Sequence, residues 1–474
     1  MQKRNRPIPE PLIYLLIGIF SLLLLLKEFG SGDELWNFAF ALNVSNGMLP
    51  YRDFNIVQTP LSIVFPAALM AVFGRNMMIF RLAGVACMAG SMCLTYSIIR
   101  KSGHSVFFSF LTCILSFALQ VICFVYDYNY LTVLVLLAVV RLEQGTRLKE
   151  HTKELVSGFL LGICILLKQN TGLFILLANA VISVLKAVLC GKKKLICFLR
   201  ITVSAVPGLI FLGYLLLTGT LPDFMEYAVY GIRTFSHRFT PVDFIRTTPF
   251  QTPFLLFLPI AFIVIVFRIG KRTGKETAIT CIALAVSELA LLYPLFDMIH
   301  LVCVLFFLTP LFAAAIKPKE YSRQSMTACL VISGIVFLVS AYYMLPNSGN
   351  RSFSDLAHFK GTPIRTTLND SIKEADKYII EKENEGYHVR IAHDSAAAYM
   401  IPLDQYEKNW SMLLVGNIGN ASVEDLLESD GPCLYLVFKE RAELGEQNHF
   451  ELIDYISENY RKVDEIESFF VYEN

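Results

Sequence analysis

Polar positions are so sparse over the first 345 residues that the apolar runs between them set the architecture of the chain. A bilayer hydrocarbon core takes roughly 17 to 25 apolar residues of helix, each rising about 1.5 Å. Such runs fall at residues 11–29, 78–99, 105–122, 129–142, 155–168, 171–189, 197–218, 252–268, 277–293, 299–316 and 326–345, and they predict eleven transmembrane helices. Between the first two, "LWNFAFALNVSNG" predicts an amphipathic helix stopped by Gly47. "MLPYRDFNIVQTPLSIVFPAALMAVFG" carries a second one starting near Pro60. The pair suits an interface rather than a crossing.

Past residue 345 the pattern becomes that of a soluble α/β segment. "SIKEADKYIIEKENEG" has helical spacing and ends at a glycine, and "YHVRIAHD" reads as a strand. "ASVEDLLESDG" predicts a short helix, "PCLYLVFKE" a buried strand, "HFELIDYISENY" a helix and "FFVYE" a closing strand. The expected fold is therefore an α-helical polytopic membrane domain over residues 1–345, followed by a small extracytoplasmic α/β domain over 346–474 with helices on a short sheet.

Composition agrees. The 474 residues are 55% hydrophobic and 17% charged, with a mean hydropathy of +0.53, which excludes an ordinary soluble globular protein. From Arg351 onward there are 12 basic and 24 acidic residues, so the tail carries about −12 while the part before it carries about +13. Placing the N-terminus in the cytoplasm puts 21 Lys and Arg on the inner side, against eight on the outer side before residue 345. Eleven spans then put the C-terminus outside. The first run resembles a signal peptide, but "KEFGSGDE" offers no small-residue cleavage site and ten more runs follow, so it reads as an uncleaved helix. Ten of the eleven cysteines lie in or beside the runs, leaving Cys433 without a partner in the tail. An extracytoplasmic domain without disulfides suits a bacterial envelope.

The polar residues that remain cluster at the outer ends of the runs. Asp33 and Glu34 follow the first; Asp127 sits in "VYDYNY"; Lys168, Gln169 and Asn170 sit in "LLKQNTG"; Asp297 and His300 sit in "YPLFDMIH". Ionisable groups at membrane depth are costly and mark sites, so four loops bringing acids, a lysine and a histidine to one face suggest a reaction centre. Each residue also has a plain structural reading. Ser31 to Glu34 fits a capping box, which would use Glu34 but not Asp33. Asp127 fits a helix start among interfacial tyrosines. Lys168 either snorkels to the headgroups or holds a phosphate. Asp297 and His300, three apart, share a helix face and suit a metal or a phosphate, or simply a wet loop end. Arg52 suits a lipid-linked phosphate or a plain pair with Asp53; Gln58 lies in the same loop. Glu288, inside the ninth run, either caps or pairs within the bundle.

In this order the residues resemble the GT-C superfamily of integral-membrane glycosyltransferases. The resemblance is strongest to the branch of protein O-mannosyltransferases and of transferases that attach aminoarabinose to lipid A. It rests on the acidic pair Asp33–Glu34 after the first run, "GMLPYRDF" (Gly47 to Phe54) and "QTPL" (Gln58 to Leu61). Asp127, "KQNTG" (Lys168 to Gly172) and "DMIHL" (Asp297 to Leu301) complete the set. The resemblance implies a polyprenyl-phosphate-linked sugar as donor, inverting transfer to a glycan, lipid or protein acceptor of the envelope, and Asp33 as the base on the acceptor hydroxyl. Asp127 would then orient the acceptor or support Asp33. Lys168, Arg52 and His300 would hold the phosphate, with Glu34, Gln58, Gln169 and Asp297 also substrate-binding. The aminoarabinose branch has a lysine where this chain has Gln58. The β-trefoil insert of eukaryotic mannosyltransferases and the "WWDYG" signature of oligosaccharyltransferases are both missing.

The rival reading is a flippase or transporter for the same polyprenyl-linked sugar, but the sequence shows no inverted repeat and its charges gather at one interface rather than at the midplane. An anchored binding protein needs far fewer spans. The loop at residues 219–250, with Arg233, His237 and Arg238, reads as a lid over an acceptor groove or as an interfacial segment. No certain cofactor is expected. A divalent cation is the one candidate, and it would need Asp127, Asp297 or His300 brought together by folding.

Overall fold

A computed structural model of the chain describes residues 9–29, 32–120, 125–145, 147–231, 240–247, 252–293, 295–318, 351–393, 395–413, 418–429, 431–439, 450–466 and 468–474. The first ten apolar runs each fall on a helix; the eleventh, 326–345, lies outside the described residues, as do Arg233, His237 and Arg238. In chain order the helices are α1 (Glu10–Leu22), α2 (Asp33–Ser45), α3 (Leu61–Phe73), α4 (Met77–Lys101), α5 (Val106–Gln120), α6 (Tyr128–Glu143), α7 (Glu150–Leu167) and α8 (Gln169–Cys190). They continue as α9 (Lys194–Thr218), α10 (Leu221–Phe224), α11 (Pro241–Thr247), α12 (Thr252–Thr273), α13 (Lys275–Glu288) and α14 (Met298–Ala315). Four of these, α4, α8, α9 and α14, are by length and composition able to cross a membrane. Pro207, Pro259 and Pro310 sit inside α9, α12 and α14, as helices shielded by neighbours and lipid tolerate.

Contacts divide the chain into two units. The first comprises Met1–Leu26, Gly84–Gly213 and His237–Leu345 and is the helical body. Its α14 is buried along most of its length, so it reads as a continuous apolar run with no polar face. Two glycines shape this body around the candidate site. A Cβ on Gly84 would overlap the carbonyl of Val125, so only glycine lets α4 approach the turn that carries Asp127. A Cβ on Gly172 would overlap the backbone of Cys164 and Ile165, so the α7–α8 corner around Lys168 closes only with glycine there.

The second unit comprises Lys27–Ala83, Tyr214–Ser236 and Pro346–Asn474. The soluble segment thus shares a unit with the residues that follow the first apolar run. Phe29 N donates to Pro363 O at 2.6 Å, Met77 N donates to His358 O at 2.7 Å, and Glu28 accepts from both Arg351 and Arg365. α2, expected to lie along an interface, is instead enclosed from Leu35 to Asn43 apart from Trp36, because α3 and the C-terminal segment cover it.

In the tail, β1 (Arg351–Phe353) pairs antiparallel with β2 (Pro363–Arg365) and leads into α15 (Thr366–Asn384). A four-stranded sheet of order β3-β4-β6-β5 follows, built from β3 (His388–Ala392), β4 (Cys433–Phe438), β5 (Arg461–Ile466) and β6 (Phe469–Glu473). The β3–β4 pair is parallel and the others antiparallel. The helices are α16 (Ala397–Met400), α17 (Val423–Leu427) and α18 (Phe450–Asn459). Every element anticipated here is present. β5 and the β1–β2 pair were not anticipated: "RKVDEI" is almost entirely exposed and holds register only through a bulge beside β6. The core gathers Trp410, Tyr435, Val437, Leu452 and Ile456, with Trp410 Nε1 donating to Leu426 O at 3.0 Å.

Candidate functional site

The candidate residues fall in both units. In the second, the adjacent acids that open α2 have different fates, as two positions about 100° apart round a helix permit. Glu34 is 1% exposed, and its two carboxylate oxygens accept from Arg81 Nε and Nη2, each at 2.9 Å. Arg81 Nη1 donates to Lys27 O at 2.6 Å. This is a two-pronged, fully buried ion pair. It replaces the capping box: Gly32 is the N-cap with no side-chain cap bond, and Ser31 lies outside the described residues. Asp33 is half-buried, and its backbone oxygen accepts from Asn37 Nδ2 at 2.7 Å.

The "LPYRDF" loop is tied to itself. Arg52 is exposed and donates from Nε and Nη2 to Asp53 at 2.7 and 2.8 Å, which holds the Asp53 carboxyl below its usual range. Asp53 also accepts from Leu49 N at 2.7 Å. Of the two readings of Arg52, the plain neighbour pair is the contact present. Buried Tyr51 adopts a left-handed φ of +69°, and its hydroxyl donates to Gln58 O at 2.8 Å. Gln58 Nε2 in turn donates to Asn37 Oδ1 at 2.7 Å, fastening the loop to α2.

In the first unit the structure gathers Asp127, Lys168, Asp297 and His300. Asp127 is fully buried and caps α6, its Oδ1 accepting from Asn129 N at 2.7 Å, while Oδ2 has no hydrogen-bond partner among the described residues. Asp297 caps α14 in the same manner, its Oδ1 accepting from His300 N at 2.9 Å and lying 2.8 Å from His300 Nδ1. Lys168 is the residue between α7 and α8. Its Nζ donates to Asn129 Oδ1 at 3.1 Å and lies 4.9 Å from the Tyr128 ring centroid. Lys168, His300 and Asp297 are the charges that act on Asp127. Three helix N-termini, those of α6, α8 and α14, thus come together with a lysine. Unpaired N–H groups and the positive dipole ends make such a place receptive to an anion, phosphate above all.

Gln169 is half-buried at the start of α8, and Asn170 Nδ2 donates to Tyr293 O at 2.9 Å. Glu288, at the end of α13, is completely buried, and among the described residues neither carboxylate oxygen has a hydrogen-bond partner and Lys168 is the cation within its electrostatic range. Among the described residues no three His, Cys, Asp or Glu side chains are grouped to hold a metal ion.

No protein-family model matches the chain, and no curated protein sequence matches it. Solved structures do. ArnT from Cupriavidus metallidurans in the apo state superposes with a TM-score of 0.62 at 9% identity, over 98% of this chain and 97% of that one. The same protein bound to undecaprenyl phosphate gives 0.52 at 10% identity, over 98% of each chain. The Archaeoglobus fulgidus oligosaccharyltransferase tethered with an acceptor peptide gives 0.50 at 10% identity, over 83% of this chain and 62% of that one. This chain has the GT-C fold.

Within that GT-C fold, three groups escaped the sequence reading. Arg81 is one polar residue in an apolar run, and its partner lies 47 positions away. Asn129 lies two residues past Asp127, between Tyr128 and Tyr130, and nothing in the sequence singles it out. The third group is a buried ion network of α6 to α9, whose Lys186, Lys192 and Arg200 counted only as inner-side positive charge. Lys186 Nζ donates to Glu143 at 2.7 Å and Glu154 at 3.2 Å, Lys192 Nζ donates to Glu154 at 2.6 Å, and Arg200 bonds both acids and Asn179. Lone charges in separate apolar runs were the only signal.

Proposed function

We propose that the chain is an inverting glycosyltransferase that moves a sugar from a polyprenyl-phosphate carrier to a cell-envelope acceptor, a glycan, lipid or protein, at the outer face of the membrane. The observation that carries this reading is the gathering of Lys168, His300 and three helix N-termini within a GT-C fold, a place suited to a lipid-borne phosphate. The acceptor hydroxyl attacks the anomeric carbon of the donor sugar as the bond to the carrier phosphate breaks. The hydroxyl proton passes to a carboxylate, and the departing phosphate takes up the negative charge. Asp33, half-buried and not consumed by the Arg81 pair, is assigned as that base. Lys168 stabilises the charge developing on the phosphate, where a fixed cation in a low-dielectric setting is most effective. Asp127 orients the acceptor, and Asp297 fixes the ring of His300 through Nδ1. Arg52, Gln58 and Glu34 support the loop and α2 rather than touching substrate.

The test is transfer from a panel of polyprenyl-phosphate sugars to envelope acceptors, comparing purified wild type with Asp33→Asn. The expected result is transfer by wild type and a loss of at least about 100-fold in the variant, within the range a positioned base supplies. Unchanged transfer by a folded Asp33→Asn protein removes Asp33 from the role. No transfer with any donor, together with lipid translocation in vesicles, replaces the transferase reading by a flippase.

A further inference from the structure

The second unit contains a half-open cavity of about 110 Å³, whose lining includes neither Lys168 nor His300. One wall is the C-terminal half of α2, which contributes Asn43 and Asn46; the other is the stretch after α16, which contributes Asp404, Gln405, Tyr406 and Ser411. Asn43 is 5% exposed, and among the described residues its Nδ2 has no hydrogen-bond partner. A buried amide donor left unmade costs roughly 1–3 kcal/mol, so a native fold keeps one where something else supplies the acceptor.

The other wall is held in place from behind. Asp404 stands in a left-handed conformation, φ +56°, and its Oδ1 lies 2.6 Å from His358 Nε2. Gln405 Nε2 donates to both oxygens of Glu383, at 2.9 and 2.8 Å, which fixes the plane of its amide. Ser411 Oγ accepts from Glu407 N at 2.9 Å. The Tyr406 ring packs edge-on against Phe54.

We infer that this cavity binds one ring of an uncharged sugar, and that this ring belongs to a glycan acceptor. The chemistry of the lining selects that ligand. Side-chain amides, a carboxylate and a hydroxyl meet the alternating donors and acceptors of ring hydroxyls. Tyr406 and the apolar residues of α2 face the carbon–hydrogen surface that a pyranose presents between them. No lysine or arginine lines the cavity, and the tail from Arg351 carries 24 acids against 12 bases, so phosphates and acidic sugars are disfavoured. A lipid chain would leave the amides unpaired. The enclosed space, about 110 Å³, is smaller than the about 150 Å³ that holds a benzene ring, so it takes one edge of a single sugar ring and leaves the rest of the ring in solvent. The inference rests on the transferase reading for the word acceptor alone; sugar binding itself is measured without any donor.

The experiment is saturation-transfer NMR on the full chain in detergent micelles with the methyl glycosides of glucose, galactose, mannose and N-acetylglucosamine. Glucuronate and inorganic phosphate serve as charged controls. At least one neutral glycoside is expected to bind, with its affinity reduced about tenfold in Asn43→Asp, the value of one hydrogen bond in a buried site. Asn46→Ala removes a second contact from an exposed position that the fold does not need, and is expected to weaken binding while leaving the melting temperature unchanged. Absence of binding by all four glycosides overturns the proposal, as does binding undiminished in both variants or a preference for the charged controls. Sugar binding by a protein that transfers nothing leaves this site standing and removes the transferase reading alone.

Discussion

Glu34→Ala separates the two neighbouring acids. The Glu34 and Arg81 side chains are 2% and 0% exposed, and the pair makes two bonds of 2.9 Å. Removing the carboxylate leaves a guanidinium in the interior with Lys27 O as its remaining partner. Breaking a buried pair in this manner costs roughly 3–5 kcal/mol. At roughly 2–4 °C per kcal/mol for a unit of 150–250 residues, the melting temperature should fall by roughly 6–20 °C. Replacing both partners, Glu34→Leu with Arg81→Met, leaves no charge behind and should recover all but about 1 kcal/mol, the part lost with the Lys27 bond. Differential scanning fluorimetry in detergent, read beside transfer activity at 20 °C, checks this; that temperature keeps each variant folded. Asp33→Asn should show the opposite profile, with stability kept and transfer lost. A Glu34→Ala protein that melts like wild type yet transfers nothing would refute the reasoning, because Glu34 would then act on substrate rather than on Arg81.

Lys168→Met should weaken binding of undecaprenyl phosphate by roughly 10- to 150-fold, the range of one hydrogen bond to a charged group, in calorimetric titration; an unchanged dissociation constant removes Lys168 from the phosphate. Lys186→Met leaves Glu143 and Glu154 with Lys153, Lys192 and Arg200 to balance them, and should lower the melting temperature by a margin like that of Glu34→Ala while the folded protein keeps its phosphate affinity. Burial pushes the Asp376 carboxyl of α15 up to about 7, and its Oδ1 has no partner. An acid whose folded value is raised contributes stability below its unfolded value near 3.8, and that stability is lost as pH rises through 7. Asp376→Asn should therefore melt above wild type at pH 8 and converge with it near pH 4; parallel curves across that range would contradict the assignment.

The fold was legible wherever one periodicity ruled a segment. Ten apolar runs became helices, and "HVRIA", "CLYLVF" and "FFVYE" became strands, because long apolar runs favour helices and short β-branched and aromatic runs favour buried strands. The convergence of Asp127, Lys168, Asp297 and His300 was legible too, since four charges at the ends of apolar runs have nowhere inexpensive to go except toward one another. Pairing was not legible. A sequence shows that Glu34 and Arg81 are both charged, but their separation of 47 residues conceals that each is the other's counterion. Asp127 illustrates the overlap of roles: the helix-start reading and the site reading were held as alternatives, and the structure gives one carboxylate oxygen to the cap and leaves the other unpartnered. The tie between the tail and residues 27–83 was equally hidden, because backbone bonds such as Phe29 N to Pro363 O leave no trace in side-chain pattern.

The helical body buries charge at two places, and the difference between them separates scaffold from site. Around Lys186, two buried acids, Glu143 and Glu154, face four cations, Lys153, Lys186, Lys192 and Arg200, and Glu150 and Glu276 complete the balance from exposed and half-buried positions. Acids and cations balance there, and their pairing locks α6 to α9 together; among the described residues Glu143 Oε2, Arg200 Nη2 and Asn179 Nδ2 make no hydrogen bond. Around Lys168, three acids, Asp127, Asp297 and Glu288, face one lysine and one histidine, and Asp127 Oδ2, Asn129 Nδ2 and both oxygens of Glu288 lack partners. Polar groups in a low-dielectric interior are expensive to leave unmet, and around Lys168 the acids outnumber the basic groups as well. An incomplete polar set beside three helix N-termini is what a site that exchanges its occupant requires. A fully satisfied one would have to break its own bonds each time a phosphate arrived, and the strength of those bonds would be subtracted from the affinity for the substrate.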